Sequence, residues 1–463
     1  MHIEQLYTNC LAEAAYYIES DGVAAVIDPL REPEPYLEKA ASRNATIKYV
    51  FETHFHADFI SGHLDLAKKS GAAISYGPEA NTAYTVINAT DGQEFNIGKI
   101  KIRVLHTPGH TLESTCYLLI DEQGKEHCIF TGDTLFVGDV GRPDLLDGLM
   151  TKEALASKMY DSLNEKIKPL ADDVIVYPAH GPGSACGKSM GKETFSTIGI
   201  QKQTNYALQE MTREAFIAAV TDGLTQPPPY FFEDARINKN GYTSIDEVIA
   251  KNTKALSVAA FKAEVENGAI ILDTRVADNF EKGFVPGSLN IGLNGMFAVW
   301  VGTLVDIHLP LVLVTVQGKE EESIIRLARV GYEQVIGYLE GGIENWLNKG
   351  EEIDTVTTIQ AEQMSQFYNN SDYVVLDVRK PSEFDTEHVV NAINIQLSEI
   401  DERAGELDNT KKYIVHCAAG YRSMMAASIL KEKGFDNFVN VAGGWGSIKK
   451  TSLPTEASVA TLI

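Results

Sequence analysis

Two stretches of this chain are copies of one another. ILDTRVADNFEKGFVPGSLNI (residues 271–291) and VLDVRKPSEFDTEHVVNAINI (residues 375–395) share Asp273/Asp377, Arg275/Arg379, Phe280/Phe384, Asn290/Asn394 and Ile291/Ile395, each pair 104 residues apart. A constant offset of that size predicts one α/β unit built twice in succession. Each copy later reaches a Gly-Gly near a tryptophan, in LEGGIENW and VAGGWGS. Ahead of the repeats, TQPPPYFFEDARINKNG (Thr225–Gly241) carries three consecutive prolines. Proline forbids helix and favours extended backbone, so this stretch is expected to be a linker. With 463 residues there is room for about three domains.

The first half alternates strand and helix patterns. AYYIES-DG-VAAVID reads as a hairpin turning at Asp21-Gly22, which supplies the positive φ angles of a primed turn. EPEPYLEKAASRN looks helical, and IKYVFETH is a strand that ends in His54. A later meander, KIKIRVLHTPGH, STCYLLIDEQG and EHCIFTGD, brings His110 and Asp133 to strand ends. Reactive groups are commonly placed on loops held by a rigid sheet in this way.

Six side chains there form a metal-binding pattern: His54, His56, Asp58, His110, Asp133 and His180, in THFHAD, TPGHT, TGDTL and YPAHG. A lone histidine at a strand end is usually structural. Four such loops in one half-chain, three with glycine or proline beside the histidine or aspartate, point to a metal site. After the aspartate of the first loop comes Phe59, which offers no lone pair. Two neighbours are of interest. Arg142 could clamp a carboxylate or phosphate of a thiol carrier, or could pair with Asp144 and stiffen its loop. Cys186, six residues past His180 on a glycine-rich loop, could receive or present sulfur, or be inert.

A second reactive motif lies in the last copy. KYIVHCAAGYRSMMAASILKEKG predicts a strand from Lys412 to His416, the loop Cys417-Ala-Ala-Gly-Tyr-Arg422, and a helix stopped near Gly434. Small residues and Gly420 let successive backbone N–H groups point inward at a helix N-terminus, an anion nest. That nest and Arg422 are expected to favour the Cys417 thiolate and to hold an anion beside it. The middle copy has LVLVTVQGKEEES at this place and no cysteine, so it is expected to carry no sulfur covalently.

A net charge of −24 argues against a nucleic-acid partner or an anionic membrane surface. No apolar run is long enough to span a bilayer, and the N-terminus lacks a signal-peptide pattern. Five scattered cysteines (Cys10, Cys116, Cys128, Cys186 and Cys417) suit a reducing cytoplasm. Cys10, Cys116 and Cys128 are read as core.

THFHADFISGH, TPGHT, TGDTLF and YPAHG, in this order, resemble the metallo-β-lactamase fold, and within it the persulfide dioxygenases. The Cys417 loop resembles that of the rhodaneses. These resemblances imply an α/β chain: an αββα metallo-β-lactamase sandwich over residues 1–235, then two rhodanese-like domains with parallel sheets. The first of these, 242–352, would be degenerate and the second, 353–463, active. They further imply one Fe(II) per chain held by His54, His110 and Asp133, with His56, Asp58 and His180 behind these ligands. Low-molecular-weight persulfide and O2 would give sulfite, to which Cys417, with Gly420 and Arg422, would add sulfane sulfur to form thiosulfate. Joining the two reactions in one chain raises the effective concentration of sulfite at its consumer. A two-histidine, one-carboxylate face leaves about three positions free, which suits non-haem Fe(II) oxygenases, although such donors also accept Zn and Mn. One alternative is a dinuclear zinc thioester hydrolase of the glyoxalase II kind fused to a rhodanese. Another is a sulfur-sensing scaffold. Oligomeric state and the thiol carrying the persulfide stay open.

Overall fold

A computed structural model describes residues 1–146, 148–368 and 370–458. The end of the expected third domain, 459–463, lies outside the described residues. The chain forms two compact units, Met1–Val248 with Arg326–Tyr332, and Ile249–Ile325 with Glu333–Ile463.

The first unit holds two six-stranded sheets. One runs β1 (His2–Thr8), β2 (Glu13–Ser20), β3 (Val23–Ile27), β4 (Thr46–Phe51), β5 (Ala73–Tyr76) and β6 (Ile87–Asn88) in spatial order. The other contains β7 (Glu94–Ile97), β8 (Ile100–His106), β9 (Thr115–Ile120), β10 (Glu126–Gly132), β11 (Ile175–Pro178) and β12 (Ser196–Thr197), ordered β12-β11-β10-β9-β8-β7. The β2–β3 hairpin turns at Asp21 (φ 51°) and Gly22 (φ 74°), as the Asp-Gly pair requires.

Alternation along the strands builds the sandwich. Tyr16, Ile18, Ile27 and Phe51 of one sheet meet Phe95, Val104, Tyr117, Leu119 and Phe130 of the other. Each such side chain contributes roughly 1.5–3 kcal/mol on burial. The opposite face of the first sheet is covered by α1 (Glu34–Ser42) and α2 (His63–Ser70), through Tyr36, Ala40 and Leu66. That of the second is covered by α3 (Lys152–Ser162), α4 (Ile198–Thr204) and α5 (Arg213–Thr221), through Met159, Ile198 and Phe216. The result is an αββα arrangement.

The proline-rich stretch differs from its expected course. Immediately after Pro229 the chain enters α6 (Tyr230–Asn240), which buries Tyr230, Phe231 and Asn238. Three prolines exclude helix only as far as they extend. The last has φ −56°, already suited to starting one.

The second unit bears out the repeat. One parallel sheet has β13 (Ala255–Leu256), β14 (Ile270–Asp273), β15 (Leu289–Asn290), β16 (Leu311–Val314) and β17 (Val335–Leu339), in the order β13-β17-β16-β14-β15. Its counterpart has β18 (Thr358–Ile359), β19 (Tyr373–Asp377), β21 (Ile393–Asn394), β22 (Lys412–His416) and β23 (Phe438–Val441), in the order β18-β23-β22-β19-β21. β20 (His388–Val389) pairs separately with β24 (Thr455–Glu456). Both sheets therefore follow one topology, with the shared aspartates at the ends of β14 and β19. Asp273 and Asp377 each grip the arginine two residues on, Arg275 and Arg379, through buried paired hydrogen bonds.

Candidate metal centre and sulfur-transfer loop

β8 and β10 both lie antiparallel to β9, and β11 lies parallel to β10, so β8, β10 and β11 all point the same way. The loops bearing His110, Asp133 and His180 consequently leave the same edge of the second sheet. The loop after β4 joins them: the Thr115 N–H donates to the Thr53 carbonyl at 2.9 Å. Gly132 fits this junction because a Cβ there would stand 2.6 Å from the Thr53 side chain.

His54, His110 and Asp133 are brought together, with donor atoms all within 4.8 Å of one another and all three residues buried. Asp133 Oδ2 lies 3.9 Å from His54 Nε2 and 3.4 Å from His110 Nε2. Among the described residues all three atoms lack a hydrogen-bond partner. The tautomers follow from the other ring nitrogens. His110 Nδ1 must carry its proton, because it faces the Arg142 carbonyl at 2.8 Å. Thr53 Oγ1 donates to Asp28 Oδ2 at 2.8 Å, so it accepts from His54 Nδ1 at 3.0 Å. Both Nε2 lone pairs therefore face Asp133. Burial, then the neighbouring His56, holds His54 well below the usual histidine range, in its neutral form. For Asp133, burial acts upward, but His180, His54 and His110 together outweigh it and keep the carboxyl below its ordinary range. Buried donors left unpaired cost about 1–3 kcal/mol each. A cation would satisfy all three, and the donor set fits iron or zinc.

Behind these atoms His180 bridges two carboxylates, its Nδ1 2.8 Å from Asp133 Oδ1 and its Nε2 2.8 Å from Asp58 Oδ2. Burial opposes protonation of His180, but Asp133 and Asp58 together raise it well above the ordinary value. Asp58 and His180 also converge with Cys186, as Asp28, Glu52 and His56 do with one another. His56 Nε2 is 3.1 Å from Asp28 Oδ1, and its ring lies 4.3 Å from that of Phe59. Phe59 is fully buried. Arg142, named as a possible substrate clamp, is engaged within the protein. Its guanidinium donates to Asp144 Oδ1 and Oδ2 at 2.6 and 2.8 Å, to the Thr225 carbonyl at 2.5 Å and to the Ala185 carbonyl at 3.3 Å. That geometry favours the loop-stiffening alternative.

Asn238 was not anticipated. From α6 its amide nitrogen donates to the His56 and Phe59 carbonyls, both at 2.8 Å, while its Oδ1 accepts from the Ser61 N–H at 3.0 Å. The carboxamide thus pins the loop that carries His54, His56 and Asp58. No local sequence signal marks it.

In the second unit Cys417 directly follows β22 and is buried. The Gly420 N–H donates to Cys417 Sγ at 3.1 Å, and Gly420 has φ 99°. A helix, Tyr421–Glu432, then begins, with Gly434 at φ 82° beyond its end. The loop is braced by the Gly-Gly segment: Trp445 N–H donates to the Cys417 carbonyl at 2.6 Å and Gly446 N–H to that of Ala418 at 3.0 Å. Arg422 is not free-standing. It forms a two-pronged pair with Glu383, at 2.6 and 2.8 Å, which lowers the Glu383 carboxyl despite its burial. The repeat could have flagged Glu383, since Asn279 holds the equivalent place. Cys116 and Cys128 are core, as expected, but Cys10 is only half-buried and lies against Arg329. No described helix is long and apolar enough to cross a membrane.

Residues 8–180 match the metallo-β-lactamase superfamily, and residues 257–349 and 360–451 each match the rhodanese-like domain. A probable hydroxyacylglutathione hydrolase, glo2, of Schizosaccharomyces pombe is 31% identical over 198 residues, 42% of this chain and 72% of the relative. A hydroxyacylglutathione hydrolase of Brucella ovis is 34% identical over 240 residues, 51% of this chain and 84% of its own. The crystal structure of a metallo-β-lactamase from Staphylococcus aureus subsp. aureus COL is 31% identical with a TM-score of 0.64, covering 73% of this chain and 98% of that one. With its αββα sandwich and histidine–aspartate edge, the chain belongs to the metallo-β-lactamase superfamily and continues into two rhodanese-like domains.

Proposed function

We propose that the chain is a persulfide dioxygenase and thiosulfate-forming sulfurtransferase. Residues 1–235 would carry the oxidation and 353–463 the transfer, with 242–352 catalytically silent. The observation that carries the first half is the convergence of three buried, unpartnered donors, His54 Nε2, His110 Nε2 and Asp133 Oδ2. Bound there with about three positions free, Fe(II) would supply the electron transfer between dioxygen and a sulfur ligand. The overall reaction balances as R–S–S⁻ + O2 + H2O giving R–SH, sulfite and H⁺.

The chain's own groups prepare that site. Thr53 and the Arg142 carbonyl keep each imidazole proton on Nδ1. His180 holds Asp133 by Oδ1 and leaves Oδ2 for the cation. Phe59 supplies apolar bulk where another member of the fold would place a ligand. In the second half, Cys417 as thiolate attacks the outer sulfur of a persulfide, forming Cys–S–S⁻ as the S–S bond of R–S–S⁻ breaks and R–S⁻ leaves. Sulfite then takes the outer sulfur, giving thiosulfate and restoring the Cys417 thiolate. The Gly420 N–H supports the charged sulfur throughout.

One other reading has an observation in its favour. The similar proteins named as hydroxyacylglutathione hydrolases, and the convergence of Asp58, His180 and Cys186, suit a two-zinc thioester hydrolase. Oxygen uptake separates the two. Iron-loaded chain given glutathione persulfide or coenzyme A persulfide should consume O2 and release sulfite. Zinc-loaded chain that hydrolyses an acylglutathione, with no oxygen uptake by the iron form, would overturn the proposal.

A further inference from the structure

The silent copy keeps the backbone course of the reactive one and none of its chemistry. Val314 pairs with Asp273 as His416 pairs with Asp377, so Thr315 stands where Cys417 does. Gly318 (φ 83°) then corresponds to Gly420 (φ 99°), and Glu320 to Arg422. Asn279 replaces Glu383. Nucleophile, cation and the cation's partner are all gone, and Glu320, Glu321 and Glu322 open the following helix with charge that repels anions.

What the silent copy does offer is a contact with the other copy's loop. The Tyr421 hydroxyl, at the fifth position of Cys417–Arg422, donates to the Gly292 carbonyl at 2.7 Å. Gly295, with φ 82°, lies against the same ring, and a Cβ there would stand 3.3 Å from it. Farther along the Tyr421–Glu432 helix, Ser428 Oγ accepts from the buried Asn290 N–H at 3.1 Å. The loop is thus held at its start by its own Trp445 and Gly446 amides and at its end by the silent copy. Tyr421 directly follows Gly420, whose N–H supports the Cys417 sulfur. Reacting groups displaced by fractions of an ångström lose rate steeply.

We propose that the silent rhodanese-like copy positions the sulfur-transfer loop through the Gly292 carbonyl, with Tyr421 as the positioning residue; this rests on the sulfurtransferase reading above. Full-length Tyr421→Phe keeps the ring and removes the bond. It should lower kcat for thiosulfate formation from sulfite about tenfold with KM for sulfite little changed. The rate of Cys417 alkylation by iodoacetamide should fall in the same proportion. Gly295→Ala, which presses on the ring from the silent copy, should slow both rates too and serves equally if Tyr421→Phe does not fold. Ser428→Ala, which removes another bond between the copies, away from the loop, should lower the melting temperature at least as much and leave both rates unchanged. Wild-type rates in Tyr421→Phe or Gly295→Ala, or equal slowing in Ser428→Ala, would overturn the proposal. Should the wild type form no thiosulfate, the sulfurtransferase reading fails, while alkylation still tests the positioning.

Discussion

His110 donates its Nδ1 proton to the main-chain carbonyl of Arg142 at 2.8 Å, so the segment that fixes a candidate ligand's tautomer is itself fixed by a buried guanidinium. Arg142 joins three places far apart in sequence, Asp144, Ala185 and Thr225. Gly141 completes the junction, since a Cβ there would stand 2.9 Å from His110 Nδ1.

Arg142→Lys should loosen this junction, because a single ammonium cannot reproduce a planar fork with several fixed donors. Loss of a partner that orients a ligand typically costs 10–100-fold in metal affinity, and an effect of about tenfold is expected here. Competition with a chelator, followed as metal release over time, measures it. An unchanged release rate would show that the guanidinium does not govern His110.

Asn238→Asp tests the pin from α6. It keeps an acceptor for the Ser61 N–H but replaces the donor to the His56 and Phe59 carbonyls with an oxygen. A loss of about 1–3 kcal/mol is expected. Chemical denaturation of the metal-free protein should show it, and metal release should quicken. The Cys417 reaction should be unaffected.

His63 provides a pH signature away from the three donors. It is fully buried among the rings of Tyr76, Tyr84 and Tyr242, and burial, then His56 and Arg31, pushes it down to about 3. An unfolded histidine takes up its proton at about pH 6.5. Between those values the unfolded chain binds more protons, so stability should fall as pH is lowered from about 6.5 toward 3. His63→Phe should flatten that dependence in denaturation curves taken between about pH 4 and 7. An identical slope in the variant would contradict the assignment.

Cys417→Ser should abolish thiosulfate formation while sulfite production from persulfide continues, read by separating the two anions after reaction. Thiosulfate surviving the change would refute Cys417 as carrier.

Local patterns made much of this structure legible. The Asp21-Gly22 turn, the β22 strand and the helix stop near Gly434 are decided within a few residues, and the structure has each where the pattern puts it. The repeat also held, because topology and the Asp–Arg grips are common to both copies. Contacts across long separations were another matter. Asp28 orders Thr53 from 25 residues away, and Asn238 reaches Phe59 across 179. Neither leaves a local pattern. The prolines before α6 misled because they limit only where a helix begins. The Arg422–Glu383 pair is written in a difference between the copies, Glu383 against Asn279, and not in any of the positions they share.

The central claim is one open-faced redox cation held by His54, His110 and Asp133. Metal analysis of freshly isolated full-length protein, joined to its X-ray absorption spectrum, tests it most directly. One iron per chain is expected, with nitrogen and oxygen neighbours and no protein sulfur. Two zinc ions per chain, with sulfur from Cys186 among the neighbours, would contradict it.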